Sequence, residues 1–412
     1  MFNLELTWDR PAKINTQLTE HILRVRIIPK DFSQKTLPLQ LAVAIDTSGS
    51  MQGTKWQQAK IACEQLITQL RPDDRLSLAG FADWVTPIAP NLQTGQVEKL
   101  RSLLQPLAPE GVTRTDLALD WITTALPPSP GKARIGILIT DGHPTNELGK
   151  VAGDIQPLVR RAETMAADGL MLCTVGLGNA EDFNTGLLVN LSDRGRGTFI
   201  YADSPTLLGT QLQERLHSSQ KVAVEAAMLK VNLVPGVVLK NCCQFRPDYL
   251  PLTVTAQQTI PLSNLRMDTP TDVLLALEVS ALNPSQLPGN YVVGEVRLEA
   301  LVTGEKSVEP AIATVGLQFT PSYREAQTIN RPVDSDRLMW DINRFSTELA
   351  HTDDPLQTGE LLGQIQAAAM KSGQTAIAND AAQQFDNLKK TGKLNPHKTT
   401  GLLRESRQLG KS

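Results

Sequence analysis

Residues 43–53 read VAIDTSGSMQG. An apolar run stops on Asp46, and Ser48 and Ser50 follow at alternate positions. Alternate residues of an extended segment point the same way. The D-x-S-x-S pattern therefore aims one carboxylate and two hydroxyls at one point. Hard oxygen donors suit Mg²⁺, which takes octahedral oxygen ligands at roughly 2.0–2.1 Å and keeps several waters. Mn²⁺ and Ca²⁺ share the preference for oxygen, whereas a zinc or copper site would call for nitrogen and sulfur. A second apolar run, GILITDG, ends in the same way on Asp141. Asp, Ser and Gly are also ordinary turn and N-cap residues, so D-x-S-x-S alone favours a turn.

The elements that must hold these side chains can be read from the patterning. LAVAID is a continuous apolar run, as in a strand covered on both faces, and ARIGILITDG reads as another buried strand ending on a carboxylate. Between and after them come DRLSLAGFA and LMLCTVGLG as strands. Helical segments lie at Trp56–Leu70 (apolar positions Trp56, Ala59, Ile61, Ala62, Leu66 and Leu70), TGQVEKLRSLLQPL, TDLALDWITTAL, DIQPLVRRAETMAADG, FNTGLLVNLSDR and PTLLGTQLQERLHSS. Strands alternating with helices predict an α/β domain over 38–217, with a doubly wound, mostly parallel sheet. Ligands of such sheets bind beyond the carboxyl ends of the strands, so Asp46 and Asp141 line one crevice.

The flanks have another texture. FNLELTW and HILRVRIIP alternate as two strands in residues 1–37, with Ile22, Arg24 and Arg26 on one face of the second. Short strands separated by Pro, Gly and Asn fill 218–325 and predict an antiparallel β-sandwich. The N-terminal strands are expected to join it, which makes the α/β domain an insertion. Residues 326–412 read as three helices and a basic tail, with apolar positions such as Leu338, Ile342, Phe345 and Leu349 recurring at three and four.

The α/β segment resembles the von Willebrand factor A (VWA) domain, the fold of integrin I domains. DTSGSM follows the first strand, EGVTRTDLAL stands at the family's G-G-T-x-T-like loop, and LITDGHPTN matches its T-D-G loop. TVGLGNAEDFNTGLLVNLSDRGRGTFIYADSP follows its late strand–helix–strand pattern. One departure is Val112, where many members have glycine. The resemblance implies a metal-ion-dependent adhesion site of Asp46, Ser48, Ser50, Thr113 and Asp141, with Thr115 the alternative to Thr113 or else the N-cap of the next helix. It also implies direct metal ligation through hydroxyls, with one or both aspartates acting through water. A carboxylate from a partner protein then completes the ion. Integrin-like members can switch by moving their last helix, here about 205–218.

Composition narrows the function. A net charge of -3 does not favour non-specific nucleic-acid binding. No run reaches the roughly 20 apolar residues that span a bilayer. MFNLELTWDR has acidic residues where a signal peptide is basic, so a cytoplasmic location is expected. Cys63, Cys173, Cys242 and Cys243 lack metal-site spacing and read as reduced, with the adjacent pair buried in a strand. GLGN at 176–179, Asp73 and Asp74 read as turns, His143 as a solvated loop residue, and the basic tail (Lys389 to Arg407) as a solvated helix end. A haloacid-dehalogenase-type phosphatase needs a second aspartate where Ser48 stands. The expected function is therefore non-enzymatic: a Mg²⁺-dependent protein-interaction module that binds a partner's Glu or Asp. The alternative is a VWA cofactor subunit of an AAA+ ATPase of the MoxR or magnesium-chelatase type. No Walker A motif is present to make this chain the ATPase itself.

Overall fold

The computed structural model describes residues 2–30, 36–202, 205–224, 226–255, 258–262, 264–266, 268–283, 286–301, 309–352 and 354–411. Met1 of MFNLELTWDR and Asp203 and Ser204 of YADSP lie outside them, as do residues 225, 256, 257, 263 and 302 of the strands expected in 218–325. The chain forms two compact units. One comprises 36–225 with 394–404, and the other comprises 1–35, 226–393 and 405–412.

Three strands open the chain: β1 (Phe2–Trp8), β2 (Ala12–Ile14) and β3 (Thr19–Pro29). The short β2 escapes the sequence reading, which expects two. The α/β unit then runs β4 (Leu39–Asp46), α1 (Thr54–Thr68), β5 (Arg75–Phe81), β6 (Val85–Leu92), α2 (Val97–Leu104), α3 (Thr115–Ala125), β7 (Ala133–Thr140), α4 (Gln156–Ala167), β8 (Leu170–Leu177), α5 (Thr185–Arg194), β9 (Arg196–Ala202) and α6 (Pro205–Ser219). Its six strands lie in the order β6-β5-β4-β7-β8-β9. All neighbours are parallel except β6, which runs antiparallel at the edge. Every residue of β7 and β8 is buried, Arg134 included, which is why both read as near-continuous apolar runs. Strand order reverses at β4, whose neighbours are β5 and β7, so Asp46 and Asp141 flank the switch point of the sheet.

Helix α1 buries Trp56, Ala59, Ala62, Cys63, Leu66 and Ile67. Ile61, expected on that face, is 51% exposed. At 100° per residue it lies well round the helix from Ala59, and Cys63 and Ile67 take the inward positions. Asp74 is not a mere turn residue. It is fully buried, accepts from Leu39 N at 2.8 Å, from the Arg71 guanidinium at 2.9 Å and from Gln220 Nε2 at 3.1 Å, and so joins the start of β4 to the ends of α1 and α6.

The remaining elements are β10 (Val222–Val224), β11 (Ala226–Leu233), β12 (Val237–Arg246), β13 (Leu250–Leu252), β14 (Thr259–Pro261), β15 (Leu265–Arg266), β16 (Thr271–Val279), β17 (Gly289–Leu301) and β18 (Ala311–Thr320), followed by α7 (Tyr323–Ala326), α8 (Arg331–Leu349), α9 (Pro355–Lys371), α10 (Thr375–Thr391) and α11 (Pro396–Ser406). Two five-stranded sheets carry the second unit, β1-β3-β16-β12-β13 and β14-β11-β17-β18-β2. Their pairs are antiparallel except β18 with β2. Trp8 Nε1 donates to Gly316 O across the two sheets at 2.7 Å, and the buried Lys13 ammonium donates to Val279 O at 2.8 Å. Arg24 and Arg26 on the polar face of β3 meet buried carboxylates: Arg24 and Arg246 hold Asp336 of α8 at 3.1 and 2.8 Å, and Arg26 holds Asp272 at 2.7 Å. The four cysteines are buried and free.

The basic stretch is a solvated helix end at Lys389 and Lys390, exposed in the last turn of α10, but beyond them it departs from that reading. It forms a fourth helix, α11, with Leu402 and Leu403 buried. Leu394–Arg404 belongs to the α/β unit. There His397 Nδ1 lies 2.7 Å from Tyr201 Oη, and Thr400 Oγ1 lies 3.0 Å from Thr185 Oγ1. Beyond it Arg407 is buried as well. Among the described residues no helix is long and apolar enough to cross a membrane.

Candidate metal centre

Three loops converge at the carboxyl ends of β4 and β7. The first follows Asp46 and closes as a short 3₁₀ turn, Gly49–Met51, pinned by the fully buried Met51. The second is 110–114 and the third is 141–151. Backbone bonds stitch them together. Glu110 N donates to Thr47 O at 2.8 Å and Gly49 N to Gly111 O at 3.2 Å. Thr145 N donates to Thr113 O at 2.8 Å, while Thr113 N donates to Thr145 Oγ1 at 2.9 Å. The left-handed backbone in the second loop falls on Gly111, φ +89°, rather than on Val112. A β-branched residue at 112 is therefore no obstacle.

Asp46, Ser48, Thr113 and Asp141 are buried, and Ser50 is exposed at the mouth. Ser48 and Ser50 hydroxyl oxygens lie 3.1 Å apart, and Ser50 Oγ donates to Asp141 Oδ1 at 2.8 Å. Gly142 lies against the site: a Cβ there would stand 3.2 Å from Thr113 Oγ1 and 3.8 Å from Ser50 Oγ. Thr113 thus borders the same space as Ser50. Thr115 is buried as the first residue of α3, where Arg114 holds the N-cap position, so it does not take the N-cap role considered for it.

Asp46 has no free oxygen. Its Oδ1 accepts from Ser48 N at 2.8 Å, and its Oδ2 accepts from Thr140 Oγ1 at 2.6 Å. Burial pushes its carboxyl up to about 6 and the neighbouring charge of Asp141 adds to this, while the Ser48 and Thr140 hydrogen bonds oppose both. Asp46 is built to orient hydroxyls and waters rather than to offer a bare oxygen.

Lys55, in the first turn of α1, reaches back into the site. Its ammonium lies 2.6 Å from Asp141 Oδ2 and 3.2 Å from Asp182 Oδ2. Burial pulls the Lys55 ammonium down, but the bonds and charges of Asp141 and Asp182 outweigh it, so its net shift is upward. Thr140, Lys55 and Asp182 do not figure in the sequence reading of the site. For Lys55 a signal exists: a cation in the first turn opposes the helix dipole and needs a partner elsewhere.

The donor set fits a Mg²⁺-sized ion. Neighbouring oxygens in an octahedron with bonds of about 2.0–2.1 Å stand about 2.9 Å apart. The Ser48–Ser50 separation, 3.1 Å, is close to that spacing, and the 2.8 Å bond from Ser50 to Asp141 orients the second hydroxyl. Among the described residues no three His, Cys, Asp or Glu side chains group as a metal site, so any ion here would rest on hydroxyls as much as on carboxylates. Beside the second and third loops, Arg114, Thr145, Glu147, Asp154 and Arg161 line an open cleft of about 270 Å³.

Residues 40–215 match the model of the von Willebrand factor type A domain, and this part of the chain is such a domain, a family of protein-interaction modules. The chain is similar to "Uncharacterized protein sll0103" of Synechocystis sp., 28% identical over 305 residues that cover 70% of this chain and 68% of the relative. It is also similar to the inter-alpha-trypsin inhibitor heavy chain H2 of Sus scrofa, 25% identical over 42% of this chain and 19% of that protein, so it spans about a fifth of that relative. Among solved structures, a von Willebrand factor type A protein from Catenulispora acidiphila shares the fold over 99% of this chain and 96% of its own, with a TM-score of 0.78 and 17% identity. The ArnB paralog VWA2 from Sulfolobus acidocaldarius aligns over 100% of this chain and 99% of its own, with a TM-score of 0.59 and 16% identity.

Proposed function

We propose that this chain is a non-enzymatic, cytoplasmic protein-interaction module that binds Mg²⁺ through Ser48, Ser50 and Thr113, with Asp46 and Asp141 orienting those hydroxyls and the waters. A bound Mg²⁺ would supply an electrophilic position for a partner's Glu or Asp carboxylate. The observation that supports this reading is the convergence of hydroxyls at the switch point of the sheet: Ser48 and Ser50 stand 3.1 Å apart, Asp141 accepts from Ser50 at 2.8 Å, and Thr113 borders the same space. Neutral hydroxyl ligands leave a divalent ion short of negative charge, which favours an anionic partner over water. We read the two flanking sheets as a β-sandwich into which the VWA domain is inserted, a scaffold for the site with the C-terminal helices. Movement of α6 on ligand binding would pass directly along the chain into β10 and β11.

Partner capture from lysate in 5 mM Mg²⁺ and in excess chelator, with Asp46→Ala alongside, tests this reading. Proteins retained by the wild type in Mg²⁺, and lost in chelator and in the variant, support it. Equal retention in all three overturns it. An AAA+ ATPase among the Mg²⁺-dependent proteins would narrow the role to an ATPase cofactor subunit.

A further inference from the structure

The Lys55 ammonium is held in a prepared position. Asp141 accepts from it at 2.6 Å and Asp182, on the loop before α5, at 3.2 Å. Its stem passes Gly178, where an added Cβ would stand 2.8 Å from Lys55 Cε. Gly178 has φ +90°, a conformation that other residues rarely adopt. The GLGN turn is thus shaped to let this side chain through. Asp141 is fully buried, while Asp182 is 42% exposed at its side chain.

We infer that Lys55 is a tethered cation that competes with the divalent ion for Asp141, and that Asp182 is the position to which it withdraws. The inference rests on the metal reading above and adds a device to it. Asp141 is the carboxylate shared between Ser50 and Lys55: Oδ1 accepts from the hydroxyl and Oδ2 from the ammonium. A divalent ion beside Ser50 would place two positive charges close to the ammonium, a repulsion strong in a buried site. Lys55 can relieve it by moving wholly onto Asp182, which it already touches. When Lys55 returns, it neutralises Asp141 and spares the fold a second uncompensated negative charge beside Asp46. Loading is then an exchange of cations, and Lys55 lowers metal affinity while preserving the metal-free fold.

The test is calorimetric titration with Mn²⁺ of the full chain and of Lys55→Met, Asp182→Asn and the double variant, with Lys55→Gln as a second neutral replacement and thermal melts to verify folding. Removing the ammonium should tighten Mn²⁺ binding about tenfold or more. Asp182→Asn should weaken it about threefold or more in the wild-type background, yet by less than about twofold when Lys55 is already gone, because Asp182 acts through Lys55. Unchanged or weaker binding in folded Lys55→Met and Lys55→Gln overturns the inference while leaving the metal reading intact, as does strict additivity of the two substitutions. No binding by any of the folded proteins at millimolar Mn²⁺ overturns the metal reading and the inference with it. Binding by the Lys55 variants alone supports the inference in its strongest form.

Discussion

Asp46 makes the metal-free protein sensitive to pH in a direction opposite to that of most paired carboxylates. Its folded pKa is about 6 against 3.8 for the unconstrained side chain. A raised folded pKa means that the folded state holds the proton more tightly, so Asp46 contributes stability at low pH that is lost as pH rises through 6. Between pH 5 and pH 8 these two values give a loss of about 1.4 kcal/mol. Above pH 7 the full difference corresponds to about 3 kcal/mol, the most that removal of this charge could return. Asp46→Asn, which has the shape of the protonated acid, is expected to be more stable than the wild type at pH 8 in EDTA. Its advantage should shrink on acidification to pH 5. Urea denaturation of both proteins in EDTA at pH 5, 6, 7 and 8 measures this, and the wild-type-minus-variant difference cancels the other titrating groups. Saturating Mg²⁺ should reverse the order at pH 8, because only the wild type gains ligand-linked stability. A variant less stable than the wild type at pH 8 in EDTA, or a difference that does not vary with pH, would refute the reasoning.

Two further perturbations probe what holds the site. Asp74→Ala leaves Leu39 N and the Arg71 guanidinium without their buried acceptor, and should cost about 3 kcal/mol in urea denaturation; a loss under about 1 kcal/mol would show that the hub is not needed. Gly178→Ala must adopt φ +90° and push against Lys55 Cε, so a loss of about 1–2 kcal/mol is expected, and an unchanged melting temperature would contradict the cradle described for that side chain.

The parts of the fold that depend on period were legible in sequence. LAVAID and GILITDG are apolar throughout because both faces of β4 and β7 are covered, and their terminal carboxylates mark the crevice without further information. The placement of Thr113 beside Ser50 needed the family pattern, since a lone threonine in EGVT has no periodic signature. What escaped the reading was set by contacts between residues far apart in sequence. Asp74 looks like any acid after Pro72 until Leu39 and Gln220 arrive from 35 and 146 residues away. The basic tail looked solvated because its lysines are; its Leu402 and Leu403 pair is too short a pattern to reveal α11 packing on the α/β unit. Lys55 was the legible miss, a cation at a helix start where local electrostatics disfavours one.

The claim on which the whole account turns is that Ser48, Ser50 and Thr113 hold a divalent cation. Crystals grown with Mn²⁺ and measured for its anomalous scattering give the direct answer. The account predicts a difference peak within about 2.0–2.4 Å of the three hydroxyl oxygens, with waters between the peak and at least one aspartate. A peak at another place, or well-ordered hydroxyls with no peak beside them at millimolar Mn²⁺, would contradict it.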